Sequence, residues 1–131
     1  MAMIIAKLKK YDLHISMGGM PFPLVYRADT GEVEEITLTG MPLGSFRDFP
    51  YKSEKLTLKK DDTILFMSDG FQEMFNERGE ILGEERAIQA FKKSAHCSPN
   101  EIIKNLSLVA EDWAGNHPQE DDMTFMVIKF R

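Results

Sequence analysis

Apolar residues change their period near residue 84, and that change restricts the folds open to the chain. Before it they fall in short, strand-length runs; after it they recur at helical spacing, and the chain then closes on one further apolar run. Residues 3–8 and 12–17 flank Lys9-Lys10-Tyr11 as a hairpin would. Residues 24–27 and 33–38 flank Ala28-Asp29-Thr30-Gly31, a polar turn ending in glycine. Residues 54–58 and 63–67 flank Lys59-Lys60-Asp61-Asp62 and predict a third hairpin, with Leu56 and Leu58 alternating against polar neighbours as in a half-buried strand. The spacing then predicts a helix over 84–94 with Ile88 and Phe91 on one face. A second helix opens at Ser98-Pro99-Asn100-Glu101, which combines an N-cap serine, proline at the first helical position and a capping-box glutamate. It continues through Ile102, Leu106, Val109 and Trp113 to a stop at Gly115. Residues 123–130 are almost continuously apolar and β-rich, which predicts a central strand buried on both faces. Strands, then helices, then one returning strand make an α+β domain.

Composition narrows the function classes. With 43% hydrophobic and 28% charged residues, the 131-residue chain is globular and of one domain's length, without repeats or linkers. The net charge is −5 and the basic residues form no cluster beyond the doublets Lys9-Lys10 and Lys59-Lys60, which argues against a nucleic-acid partner. A single cysteine, Cys97, excludes an internal disulfide and a cysteine-rich zinc site and suits a reducing compartment. Residues 1–6 are too short an apolar stretch for membrane insertion or a signal-peptide core, so a cytoplasmic, soluble protein is expected.

Two acidic positions stand out. Asp69 follows the apolar run 63–67 and precedes Gly70; a carboxylate at the end of a buried strand, with glycine letting the chain turn away, is a rigid mount for a hard cation. Asp121 and Asp122 precede the other apolar strand. If the two strands are neighbours, their carboxylates converge at one sheet edge, where mutual repulsion favours a cation between them. Asp-Gly after a strand is also a common turn, and Asp-Asp before one a common solvated loop, so spacing leaves both interpretations open. His14, His96 and His117 are scattered and read as ordinary surface or core residues. Residues 69–80 fail as a calcium loop at Phe71 and Met74.

Taken together, Gly40-Met41-Pro42-Leu43-Gly44, the strand end running from Ile64 to Ser68-Asp69-Gly70-Phe71-Gln72-Glu73, Gly79-Glu80-Ile81-Leu82-Gly83-Glu84-Glu85-Arg86 and Asp121-Asp122-Met123-Thr124 resemble the ordered landmarks of SpoIIE/RsbU-type PPM protein phosphatases. The resemblance runs from about Met3 to Phe130. It implies an αββα sandwich of mostly antiparallel sheets. It also implies hydrolysis of phosphoserine or phosphothreonine at a two-metal centre of Mn²⁺ or Mg²⁺, through a bridging hydroxide and without a covalent intermediate. Asp69 and Asp121 resemble metal ligands of that centre, with Asp122 supporting or replacing a ligand and Gly70 forming the adjacent turn. Glu73 resembles a glutamate that supports the local turn. By the same resemblance the substrate is a STAS-type anti-sigma-factor antagonist, and a sensor domain lies upstream.

The chain also departs from the family pattern. An earlier aspartate-bearing strand, an Asp-x-x-Gly-His-Gly-like segment with the bridging aspartate, and two long helices have no counterpart here. Met20 stands in Gly18-Gly19-Met20-Pro21 where many relatives carry histidine. Residues 1–131 are therefore expected to form a single, N-terminally incomplete domain whose start lies inside a longer coding sequence. Its helices would cover one face only, leaving residues 1–6, Ile15 and Met17 exposed and favouring self-association or completion by another chain. An alternative from a different class is a catalytically inactive PPM-like module that binds a partner protein.

Overall fold

β1 (Met3–Lys9) and β2 (Asp12–Gly18) are joined by a tight turn in which Lys10 takes a left-handed φ of 55°. Their register sets Ile4 opposite Met17, Ala6 opposite Ile15 and Leu8 opposite Leu13, so one face of the hairpin is continuously apolar. β3 (Leu24–Arg27) and β4 (Glu32–Glu35) form the expected second hairpin around residues 28–31. In this computed structural model, which describes residues 1–131, β5 (Ser53–Thr57), β6 (Thr63–Met67) and β7 (Phe125–Lys129) complete two antiparallel sheets. Their orders are β1-β2-β5 and β4-β3-β6-β7.

The third predicted hairpin does not form. β5 pairs with β2 in the first sheet, whereas β6 pairs with β3 and β7 in the second. Residues 59–62 turn the corner between the sheets, and Asp62 holds it. Its carboxylate is fully buried and accepts the amides of Lys59 (2.9 Å) and Ala28 (3.0 Å) and Nη1 of Arg27 (3.0 Å). A flat hairpin would leave this carboxylate in water and could not bring Leu58 and Ile64 into the same core, where both lie.

The strongly apolar run 63–67 is explained by burial on two sides. Ile64 and Phe66 face the first sheet, with Leu13, Ile15, Met17 and Leu58. Leu65 and Met67 face the helices, with Phe71, Phe91, Ile102 and Leu106. Each such fully buried Leu, Ile or Phe stabilises the fold by roughly 1.5–3 kcal/mol.

α2 (Gly83–Ser94) and α3 (Pro99–Ala114) lie on the second sheet alone, giving the layer order helices, sheet, sheet. On α2 the buried positions are Ala87, Phe91 and Ser94, with Ile88 half-buried beside them. The capping box of α3 forms as its sequence predicts: Ser98 Oγ accepts the Glu101 amide, and the Glu101 carboxylate accepts the Ser98 amide at 2.9 Å. Gly115 ends the helix with φ 59°.

Two further expectations are corrected. β7 is an edge strand rather than a central one: it pairs only with β6, and Met126 is 59% exposed. Its apolar character reflects two half-covered faces, Phe125 and Val127 toward the helices and Ile128 toward the first sheet. Ile15 and Met17 are buried, because their face of the first sheet is covered by the second sheet. Within residues 1–6, Met1 and Ile5 are exposed as expected; Phe46 and Met126 are the other large apolar residues that are more than half exposed.

Candidate metal centre

The register of β6 on β7 decides what its two outer ends bring together. The last ladder pair is Met67 with Phe125. One step further the Ser68 amide donates to the Thr124 carbonyl at 3.0 Å, and the chain then turns into α1 (Asp69–Gln72). The segments carrying Asp69 and Asp121 are thereby side by side at one end of the second sheet.

Gly70 closes this junction. A Cβ on Gly70 would lie 2.4 Å from the Asp122 carbonyl oxygen, so only glycine allows the two backbones to approach. The sequence assigns Gly70 to a turn that leads the chain away. The structure puts it in the first turn of α1, pressed against the loop that carries the aspartates. Ser68 binds the junction from the other side: its hydroxyl donates to the Asp122 carbonyl (3.1 Å) and accepts the Thr124 amide (3.0 Å).

Each predicted site residue has a definite place. Asp69 begins α1 and its carboxylate is exposed; its carbonyl accepts the Glu73 amide at 2.9 Å, closing the short helix. Asp121 is exposed and ordered locally: Oδ1 accepts the Asp122 amide (2.7 Å) while its carbonyl accepts Gln119 Nε2 (2.7 Å). Asp122 contributes through its backbone, since its carbonyl and amide make these bonds and its side chain makes none. Glu73 supports the turn through its amide alone; its side chain forms no hydrogen bond and lines a cleft of about 530 Å³ together with Gly70, Glu120 and Asp121. His117, 3.1 Å from Glu120, stands beside that cleft.

The sequence places Ser68 in the strand-end landmark but gives it no role, because its partners lie 54 and 56 residues away and depend on strand register. The donors fit a hard divalent cation. Mg²⁺ in particular is commonly held by one or two carboxylates with several retained waters. No three His, Cys, Asp or Glu side chains come together as a metal-binding group.

The other landmark segments serve the frame. Gly40 approaches β2 so closely that a Cβ would lie 2.0 Å from the Met17 carbonyl oxygen, and Leu82, fully buried, ties the start of α2 to Met74 through a 2.9 Å backbone bond.

The fold is that of PP2C-type phosphatase domains. The SiaA-PP2C domain of Pseudomonas aeruginosa superposes with a TM-score of 0.78 at 22% identity, covering 93% of this chain and 48% of that one. The RsbU and RsbW domains of a Mycobacterium tuberculosis protein give a TM-score of 0.77 at 24% identity, covering 99% of this chain and 37% of that one. The phosphatase domain of the cell fate determinant SpoIIE from Bacillus subtilis gives 0.69 at 20% identity, covering 99% and 56%. In all three the chain spans less than two thirds of the matched protein. No curated protein matches the sequence. The sequence model of stage II sporulation protein E matches residues 1–131, and the chain accordingly belongs to the SpoIIE family.

Proposed function

We propose that this chain is the C-terminal part of a metal-dependent serine/threonine protein phosphatase domain, and that Asp69 and Asp121 are its contribution to the metal centre. The observation that carries the proposal is the junction itself: the β6 end and the 121–124 segment are held together by Ser68 and by the glycine contact at Gly70. Rigid mounting on strand ends is what a catalytic cation site requires. The cleft beside it carries Glu73, Glu120 and Asp121, and a phosphorylated substrate would be repelled from such a wall without a compensating cation. A bound Mn²⁺ or Mg²⁺ would neutralise charge on the phosphoryl oxygens and supply hydroxide near neutral pH. The residues of the chain hold that cation and keep Asp69 and Asp121 at fixed separation. The Bacillus subtilis domain was studied after presoaking with Mn, which agrees with this choice of cation.

In this proposal, residues 1–131 are an incomplete domain and the remaining ligands come from another polypeptide segment. The substrate is a phosphoseryl or phosphothreonyl regulatory protein of the STAS type, in cytoplasmic signalling, as the family resemblance implies. That no three such side chains cluster supports a second reading, a PPM-like module that binds its partner without turnover. The test is Mn²⁺-dependent phosphate release from a phosphoserine peptide. Release that Asp69→Asn abolishes establishes catalysis by the chain and rejects the inactive module; equal, background release from both proteins rejects autonomous catalysis and leaves an incomplete domain or a binding module.

A further inference from the structure

We infer that Ser68 is a positioning residue for the metal centre: its hydroxyl sets the separation of Asp69 and Asp121, an inference that rests on the metal-binding function proposed above. Ser68 occupies the N-cap position of α1, with φ −80° and ψ 165°, yet its side chain caps nothing in that helix. The usual reason for a serine at this position is therefore absent.

Its bonds go across the sheet instead. In an antiparallel ladder a hydrogen-bonded pair exchanges two N–H···O bonds. Between Ser68 and Thr124 the first is present, from the Ser68 amide to the Thr124 carbonyl at 3.0 Å. The return bond cannot reach the Ser68 carbonyl, because the chain has turned into α1. The Thr124 amide donates to Ser68 Oγ at 3.0 Å in its place. The same hydroxyl then donates its own proton to the Asp122 carbonyl at 3.1 Å. One side chain thus replaces the missing ladder acceptor and grips the residue next to Asp121, while the residue that follows it along the chain is Asp69, the first of α1. Gly70 allows the approach and Ser68 holds it, so the spacing of the two carboxylates has two separate determinants. α1 is only four residues long and cannot fix the position of Asp69 by itself.

The test compares wild type with Ser68→Ala, Ser68→Thr and Ser68→Cys, and measures Mn²⁺ affinity by electron paramagnetic resonance, exchange of the Thr124 amide by NMR, and urea unfolding. Ser68→Ala is expected to weaken Mn²⁺ binding roughly 10–100-fold, the range for groups that orient metal ligands, and to speed Thr124 exchange. Ser68→Thr, which keeps the hydroxyl, should restore both. If Ser68→Ala does not fold, Ser68→Cys must give an intermediate affinity, since a thiol is a weaker donor and acceptor. Wild-type affinity in a folded Ser68→Ala or in Ser68→Cys overturns the inference. Asp69→Asn and Asp121→Asn serve as the parallel control. If both bind Mn²⁺ as wild type does, or if wild type binds none at millimolar Mn²⁺, the metal reading itself fails and the role of Ser68 falls with it. If both lose binding while Ser68→Ala retains it, only the positioning role is rejected.

Discussion

Asp62 and Asp69 border the same strand, β6, and their surroundings give them opposite tasks. Asp62 is sealed from water and accepts two backbone amides and Nη1 of Arg27, itself mostly buried. Asp69 is exposed, and no side chain satisfies its carboxylate. Without Asp62, Arg27 keeps Glu34 and the Thr57 carbonyl but the Lys59 and Ala28 amides lose their acceptor, so Asp62→Ala should lower unfolding free energy by roughly 1–3 kcal/mol for each unsatisfied group, read from urea denaturation. Asp69→Asn should change stability by no more than about 0.5 kcal/mol, as for other surface substitutions. The sequence identified Asp69 because a carboxylate after an apolar run is locally conspicuous. Asp62, in the turn-like Lys59-Lys60-Asp61-Asp62, looked like an ordinary loop residue: its partners Arg27 and Ala28 come from another hairpin, and no local pattern announces them. The role of Ser68 was hidden for the same reason.

Elements whose determinants are local were legible, and those set by long-range pairing were not. The β1–β2 and β3–β4 hairpins and both long helices follow from period and turn residues. The corner after β5 and the edge position of β7 depend on which sheet each strand joins. α3 offers the cleanest test of a local determinant. Its capping box satisfies amides that the helix cannot, and Ser98→Ala should destabilise the protein by about 1 kcal/mol. Hydrogen bonds from the Ser98 side chain, then from its amide, hold the Glu101 carboxyl below its ordinary value. A depressed carboxylate adds stability that is present above the unfolded-state pKa and is lost as pH falls through the folded one. The gap between wild type and Glu101→Gln should therefore be full at neutral pH and close in acid below the usual glutamate range, as thermal melts across pH would record. A gap that persists in acid would assign the effect to packing rather than to charge.

At the scale of the molecule, the helices cover one sheet and leave the free edges of β1 and β7 beside an open apolar groove of about 590 Å³, lined by Ile4, Leu8, Phe66, Met126 and Ile128 among others. Unpaired strand edges next to exposed apolar surface favour association. Met126→Lys, at a position already largely exposed, should reduce both binding of an apolar dye and self-association by light scattering, with little loss of stability; unchanged association would place the contact elsewhere. The opposite feature is the polar junction at the end of the second sheet. Its most direct test is Mn²⁺-induced broadening of amide resonances across the whole chain. Resonances of Asp69, Gly70, Asp121 and Asp122 should broaden first, and Asp69→Asn and Asp121→Asn should each suppress the effect. Broadening centred on another acidic segment, or spread evenly over the exposed carboxylates, would contradict a metal centre at this junction.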